Sequence, residues 1–332
     1  MRAKSTVLVI GSNSFSGSDF IDLLLEQGVY SVVGVSRSPE KTPVFLRYKR
    51  HQDPDFEFHR IDLNQDLPKL VELMKTRQPG YVVNFAAQSE VAPSWENPQQ
   101  WFQTNAVAVT ALAHALKDMR FLKRYVHISS PEVYGTCVGT VHEDAPLNPS
   151  TPYAASKAAG DLSLFTYVKN FNLPLAMIRS TNVYGAHQQL FKIIPRSVIN
   201  LKLGRKIALH GGGVAVKSYI HIRDVSRGEL AAMEKGQAGS IYHLSPDHGI
   251  AVKDVVRLIC ERLGRTYADC VTTTAERLGQ DAAYVIDSTR ARTQLGWHPA
   301  VSIQSGLQEA LDWVGRYWEE IKALPHDYVH QP

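Results

Sequence analysis

The strongest constraint on the fold is an order. Through the first half of the chain, short β-branched runs alternate with longer amphipathic segments, and a glycine-rich turn joins the first pair. Thr6-Val-Leu-Val-Ile10 is an unbroken apolar run, the pattern of a strand covered on both faces. Phe20, Leu23 and Leu24 recur at helical spacing within 16–27, and Gly28 closes that segment. Further strands are predicted at 31–35, 56–60, 81–85, 125–129 and 175–179, with helices at 68–77, 105–119 and 153–170. Such a series predicts an α/β fold, a doubly wound parallel sheet of the Rossmann type.

After Arg179 the rhythm breaks into turn-rich stretches such as His210-Gly-Gly-Gly213 and Trp297-His-Pro299. Asp224 is expected to cap a helix over 225–234, and Ile241-Tyr-His-Leu244 reads as one more strand of the sheet. The expected organisation is a dinucleotide-binding unit, 1–180 plus 220–245, and a smaller α/β substrate lobe, 181–219 plus 246–332.

Composition narrows the function. Of 332 residues, 44% are hydrophobic and 20% charged, which excludes a disordered or low-complexity chain. The net charge of +4 is mild. The basic clusters Arg47–Lys49–Arg50 and Lys202–Arg205–Lys206 are short and lack stacking aromatics, so no nucleic-acid partner is expected. Cys137, Cys260 and Cys270 form no CxxC pair, and the 13 histidines show no HExxH, so neither a disulfide framework nor a metal site is expected. The apolar run Val7–Ile10 is too short for a signal peptide or membrane span, and the expected setting is cytoplasmic, with no membrane partner.

The turn after the first strand reads Gly11-Ser12-Asn13-Ser14-Phe15-Ser16-Gly17 and opens a helix. Backbone N–H groups and the positive end of the helix dipole then face a pyrophosphate. Gly11 allows the tight turn and Gly17 close packing on the sheet, while Ser14 stands where a middle glycine is usual, so its Cβ is expected to restrict phosphate approach. The second strand ends in Ser36 and Arg37 rather than in the acid that holds a ribose 2′-hydroxyl. A hydroxyl and a guanidinium suit a 2′-phosphate, which points to NADP, with NAD as the alternative. Asp62 and Leu63 follow the third strand, where such folds meet the adenine edge.

Tyr153 and Lys157 share a helix face at i,i+4. A phenol with a reference pKa near 10 becomes a base at neutral pH only if a nearby cation stabilises its phenolate. Ser130 follows the fifth strand in Ile128-Ser-Ser-Pro-Glu-Val-Tyr-Gly135, where it can share the proton that Tyr153 takes from a substrate hydroxyl.

On the glycine loop, Asn84-Phe-Ala-Ala87, Ser130…Tyr153…Lys157, Thr181-Asn-Val-Tyr-Gly185 and Ser218-Tyr-Ile-His-Ile-Arg-Asp224, the chain resembles the extended short-chain dehydrogenase/reductase family over essentially its whole length. It is most similar to the nucleotide-sugar 4,6-dehydratase and epimerase branch: 86–94 resembles GDP-mannose 4,6-dehydratases, while 189–195 and 281–297 resemble dTDP-glucose 4,6-dehydratases. The resemblance implies a nicotinamide dinucleotide held by Phe85, Ala86, Ala87, Gln88, Ser129 and Ser180 besides the residues above. It implies a nucleotide sugar against Ser89, Glu90, Ser130, Glu132, Asn182, Lys192 and Lys217, and a homodimer formed through 105–119 and 153–170.

Within that branch Glu132 matches the glutamate that removes the C5 proton in dehydratases. An aspartate precedes it in the dTDP-glucose enzymes, and here that residue is Pro131. Glu90 replaces a usual histidine, Lys217 a usual arginine, and Asp281-Ala-Ala-Tyr284 lacks the arginine expected before the tyrosine. The expected activity is NDP-hexose 4,6-dehydration. The alternatives are a 4-epimerase, a decarboxylase of a UDP-uronate (which also carries the glutamate) and, last, a non-catalytic cofactor sensor.

Overall fold

The computed structural model describes residues 4–52, 54–136, 139–275 and 285–331. β1 (Ser5–Ile10) passes through the glycine turn into α1 (Phe15–Gln27), followed by β2 (Tyr30–Ser36) and β3 (Phe56–Arg60). α2 (Leu67–Arg77) leads to β4 (Tyr81–Asn84), then α3 (Pro98–Phe102) runs through a π-helical turn, Gln103–Ala108, into α4 (Val109–Leu116). β5 (Arg124–Ile128), a 3₁₀ turn (Pro131–Tyr134), β6 (Thr140–Val141), α5 (Pro152–Phe171) and β7 (Leu175–Ser180) complete the first half. Next come β8 (Asn182–Tyr184), α6 (Ile193–Lys202), β9 (Ile207–His210), β10 (Val216–Lys217), β11 (Tyr219–His221), α7 (Ile222–Lys235) and β12 (Ser240–Leu244). The chain continues with β13 (Ile250–Ala251), α8 (Val252–Arg262), α9 (Tyr267–Cys270), β14 (Val271–Thr274), β15 (Val285–Ile286), α10 (Ile303–Arg316) and α11 (Trp318–Ile321).

Seven parallel strands form the central sheet in the order β12-β7-β5-β4-β1-β2-β3. The order reverses direction between β1 and β4, and ligands of open α/β sheets bind outside the strand ends at such a switch point. Alternate side chains of β1 feed opposite faces: Val7 and Val9 pack with Phe20, Leu24 and Ile178, whereas Leu8 and Ile10 pack with Val33, Leu112 and Tyr125. Burial on both faces explains why these strands read as unbroken apolar runs. A third cluster gathers Ile194, Val198, Leu209, Val255, Ile259, Leu307 and Trp313. Val44 joins it from the first half, its carbonyl accepting the Trp313 indole N–H at 2.9 Å.

Two helix predictions need correction. The helix expected at 105–119 spans 98–116, because Pro98 sits in the first turn and the π-helical turn shifts the side-chain phase after Gln103. Asp224 does not cap its helix: His221 is the cap, its ring accepting from the Arg223 N–H. Asp224 lies buried inside the first turn, where its carboxylate accepts the Val301 N–H at 2.8 Å.

Candidate active site

The glycine turn stands at the switch point. Gly11 has φ +86°, and a Cβ there would meet the Ala86 nitrogen at 2.7 Å, so only glycine lets β1 and β4 end this close together. Ser14 is the N-cap of α1, its hydroxyl accepting the Gly17 N–H at 3.0 Å. The side chain at the middle-glycine position is therefore turned back onto the helix. Asn13 donates to the Ser38 and Pro39 carbonyls, pinning the turn to the end of β2. Ser12 Oγ and Asn13 Oδ1 are buried without a hydrogen-bond partner. Buried polar atoms are normally satisfied, so these two orphans in a phosphate-type turn fit a dinucleotide.

Ser14, Phe15 and Ser16 form one end of a cleft of about 360 Å³. Phe85, Ala87, Ser89, Glu90, Ser129, Ser130, Glu132, Tyr153, Lys157, Ser180, Asn182 and Lys192 line the remainder, so much of the expected cofactor and substrate set comes together. Arg37, Ser36, Asp62, Leu63, Ala86 and Gln88 lie outside its lining. Leu63 is a core residue, and Asp62 accepts the Asn64 N–H within its own turn. Lys217 also lies outside, on β10, where the chain pairs with β13. Cys137 and 281–284 fall outside the described residues.

The strand ends aim the candidate chemistry. Ser130 follows the end of β5 and caps the 3₁₀ turn, accepting the Glu132 N–H at 3.2 Å; Pro131 follows at the first position, where its fixed φ favours the turn. Glu132 is thereby held two residues beyond the serine, at the second position of the turn. Tyr153, in the first turn of α5, is 8% exposed and hydrogen-bonded to Ser130. Burial, Glu132 and Glu90 push its phenol up, while the Ser130 bond opposes them. Lys157 is 2% exposed and donates to the Ile128 carbonyl at 2.8 Å. Burial brings its pKa down to about 8, with Asp161 opposing the fall.

Behind Lys157 lies a polar relay that sequence reasoning missed. Asp161 accepts from Ser129 at 2.6 Å and from Arg179 at 2.7 Å, all three buried. Arg179 also donates to the Tyr134 hydroxyl, which contacts His243 at 2.7 Å. His127, held well below its usual pKa by burial and by Lys157 and Arg179, is neutral. Its Nε2 then accepts from Lys157 at 3.5 Å, with the proton on Nδ1 facing the Tyr125 hydroxyl at 3.2 Å. The i,i+4 spacing of Lys157 and Asp161 was a legible signal. At the cleft mouth Lys192 pairs with Glu90 at 2.7 Å, and Asn182 Oδ1 is buried without a partner. Another missed element is the segment 326–331: His330 stacks on Trp101, and the Gln331 carbonyl accepts from Gln88 at 2.9 Å and from Arg37 at 3.0 Å.

Among the described residues no helix is long and apolar enough to cross a membrane, and no group of three His, Cys, Asp or Glu could hold a metal ion. A parallel sheet with a glycine turn at its switch point and a Ser–Tyr–Lys set at its strand ends defines an extended short-chain dehydrogenase/reductase. Residues 8–310 match the family described as GDP-mannose 4,6 dehydratase. A dTDP-glucose 4,6-dehydratase from Streptomyces antibioticus is 31% identical over 96% of each chain. The crystal structure of a dTDP-glucose 4,6-dehydratase from Streptomyces venezuelae, with NAD bound, is similar with a TM-score of 0.87 at 30% identity, covering 95% of this chain and 98% of that one. A UDP-glucuronic acid 4-epimerase from Bacillus cereus, bound to UDP-glucuronic acid and NAD, aligns with a TM-score of 0.86 at 26% identity, covering 94% and 99%. The chain belongs to the GDP-mannose 4,6-dehydratase family.

Proposed function

We propose that this protein is an NDP-hexose 4,6-dehydratase that converts its substrate to a 4-keto-6-deoxy nucleotide sugar. The observation that carries the reading is Glu132 in the same cleft as Ser130, Tyr153 and Lys157, close enough to act on the Tyr153 phenol. Tyr153, relayed through Ser130, takes the C4 hydroxyl proton, and Lys157 stabilises the phenolate. A nicotinamide dinucleotide held at the glycine turn, beside Ser12 and Asn13, would supply the hydride acceptor for C4 and the hydride donor for C6. A C4 ketone acidifies the C5–H, which Glu132 removes. With Pro131 in place of an acid, Glu132 also delivers the proton on which the C6 hydroxyl leaves as water.

The finer cofactor assignment is NADP. Ser36 and Arg37 end β2 without an acid, and a 2′-phosphate would give Arg37 a charged partner in place of the Gln331 carbonyl. Titration with both dinucleotides decides between NADP and NAD. A homodimer through 105–119 and 153–170 is supported by an apolar groove lined by Ala106, Val107, Ala111 and Tyr167, and by exposed Leu162 and Phe171. The proposed division of labour keeps 1–180 with 220–245 for the dinucleotide and 181–219 with 246–332 for the sugar nucleotide. The proposed setting is cytoplasmic.

The test is mass spectrometry of GDP-, dTDP-, UDP- and CDP-hexoses incubated in deuterated water with either dinucleotide. Loss of one water with gain of one deuterium is expected, and Glu132→Gln should slow it at least ~10²-fold. A new isomer of unchanged chemical formula would replace the reading with a 4-epimerase, and loss of carbon dioxide from a uronate with a decarboxylase.

A further inference from the structure

Enzymes of this architecture include one shown with UDP-glucuronic acid in its site as well as those named for dTDP-glucose. Something in the cleft must therefore decide whether a sugar with a C6 carboxylate is admitted.

Building on the dehydratase reading, we propose that Glu90 is the specificity-determining residue that restricts the substrate to nucleotide sugars with an uncharged hexose and rejects uronates. Glu90 lines the same cleft as Tyr153 and Glu132. Tyr153, where C4 must sit, and Glu90 line one cleft of about 360 Å³, and the Glu90 carboxylate helps to raise the Tyr153 phenol. C6 is only two bonds from C4, and a carboxylate there would enter the field of both glutamates.

The cations do not offset this. Among the lining residues they are Lys157 and Lys192. Lys157 is buried and already donates to the Ile128 carbonyl and faces His127. Lys192 is already neutralised by Glu90 at 2.7 Å. A substrate diphosphate can take Lys192 over, because the lysine is about one third exposed and its partner is held on a loop rather than in the core. The exchange leaves Glu90 as an unpaired anion facing the sugar. A neutral hexose can hydrogen-bond to that carboxylate through its hydroxyls, whereas a uronate meets like charge in a partly desolvated cleft, which costs several-fold to many-fold in affinity.

The experiment is calorimetric binding of matched pairs that share a nucleotide: UDP-glucose with UDP-glucuronate, dTDP-glucose with dTDP-glucuronate, and GDP-mannose with GDP-mannuronate. Wild type is expected to bind the neutral member of its preferred pair at least ~10-fold more tightly. Glu90→Gln, which keeps size and hydrogen bonding, should shrink that ratio by ~10-fold or more. A merely structural role would instead weaken both members alike, and Glu90→Asp should restore the discrimination. Equal binding of both members by wild type, or an unchanged ratio in Glu90→Gln, overturns the assignment and leaves the dehydratase reading intact. If no neutral nucleotide sugar binds, the dehydratase reading falls and takes this inference with it.

Discussion

The two walls of the cleft are built on different principles. The wall formed by the ends of β5 and β7 with the start of α5 is buried: Ser130, Tyr153, Lys157, Asp161 and Arg179 are all less than one tenth exposed. Ser130, Lys157, Asp161 and Arg179 each bond a neighbouring side chain or the backbone, although Asp161 Oδ1 and Arg179 Nε are buried without a partner. The other wall, from 86–94 and 182–194, is more open, and its Glu90–Lys192 ion pair is partly exposed. The difference separates two demands. Proton transfer needs groups held at fixed positions in a dry setting, whereas recognition of a diphosphate needs a cation that can change partners.

The sharpest test of the buried wall is Tyr153→Phe. It removes the hydroxyl but keeps the ring, so turnover should fall by roughly 10³-fold while the urea midpoint and nucleotide-sugar affinity stay as they are. A loss of only a few-fold would mean that another group accepts the C4 proton. The next largest effect should be on stability. Asp161→Asn leaves Arg179, 1% exposed, without its counter-charge and should cost ~3–5 kcal/mol in urea unfolding. Lys192→Met breaks a pair on the open wall and should cost less than ~1 kcal/mol. Similar losses from the two changes would erase the distinction between the walls.

The legibility of the sequence follows the same division. Strands buried on both faces leave unbroken β-branched runs, and each run singled out in the sequence lies within or against a strand of the central sheet. Tyr153 and Lys157 were legible because a helix fixes i,i+4 neighbours. Ser130 and Glu132 were legible because they follow a strand end. The π-helical turn was not, since it bends the helical period around Asn105, whose side chain bonds both the N–H and the carbonyl of Gln88. Gly160 fits there because a Cβ would lie 2.2 Å from the Asn105 carbonyl oxygen. Local capping preference favoured Asp224, but its carboxylate bonds Val301, 77 residues away. The Gln331 contact with Gln88 and the Glu90–Lys192 pair depend on chain segments 243 and 102 residues apart, which no local pattern encodes.

Ser14 tests on which side of this comparison the glycine turn falls. The sequence places a Cβ where a phosphate should approach, which predicts a slightly restricted approach. In the structure its hydroxyl is occupied in capping α1, so the side chain belongs with the fixed, inward-bonded groups. Ser14→Ala should then cost ~1 kcal/mol of stability through the lost cap, and Ser14→Gly only a few tenths. Neither change should alter dinucleotide affinity measured by fluorescence titration, because the amides that face the phosphate are backbone groups. A marked tightening in Ser14→Gly would show instead that the Cβ stands in the ligand's path, which would move the turn to the recognition side of the cleft.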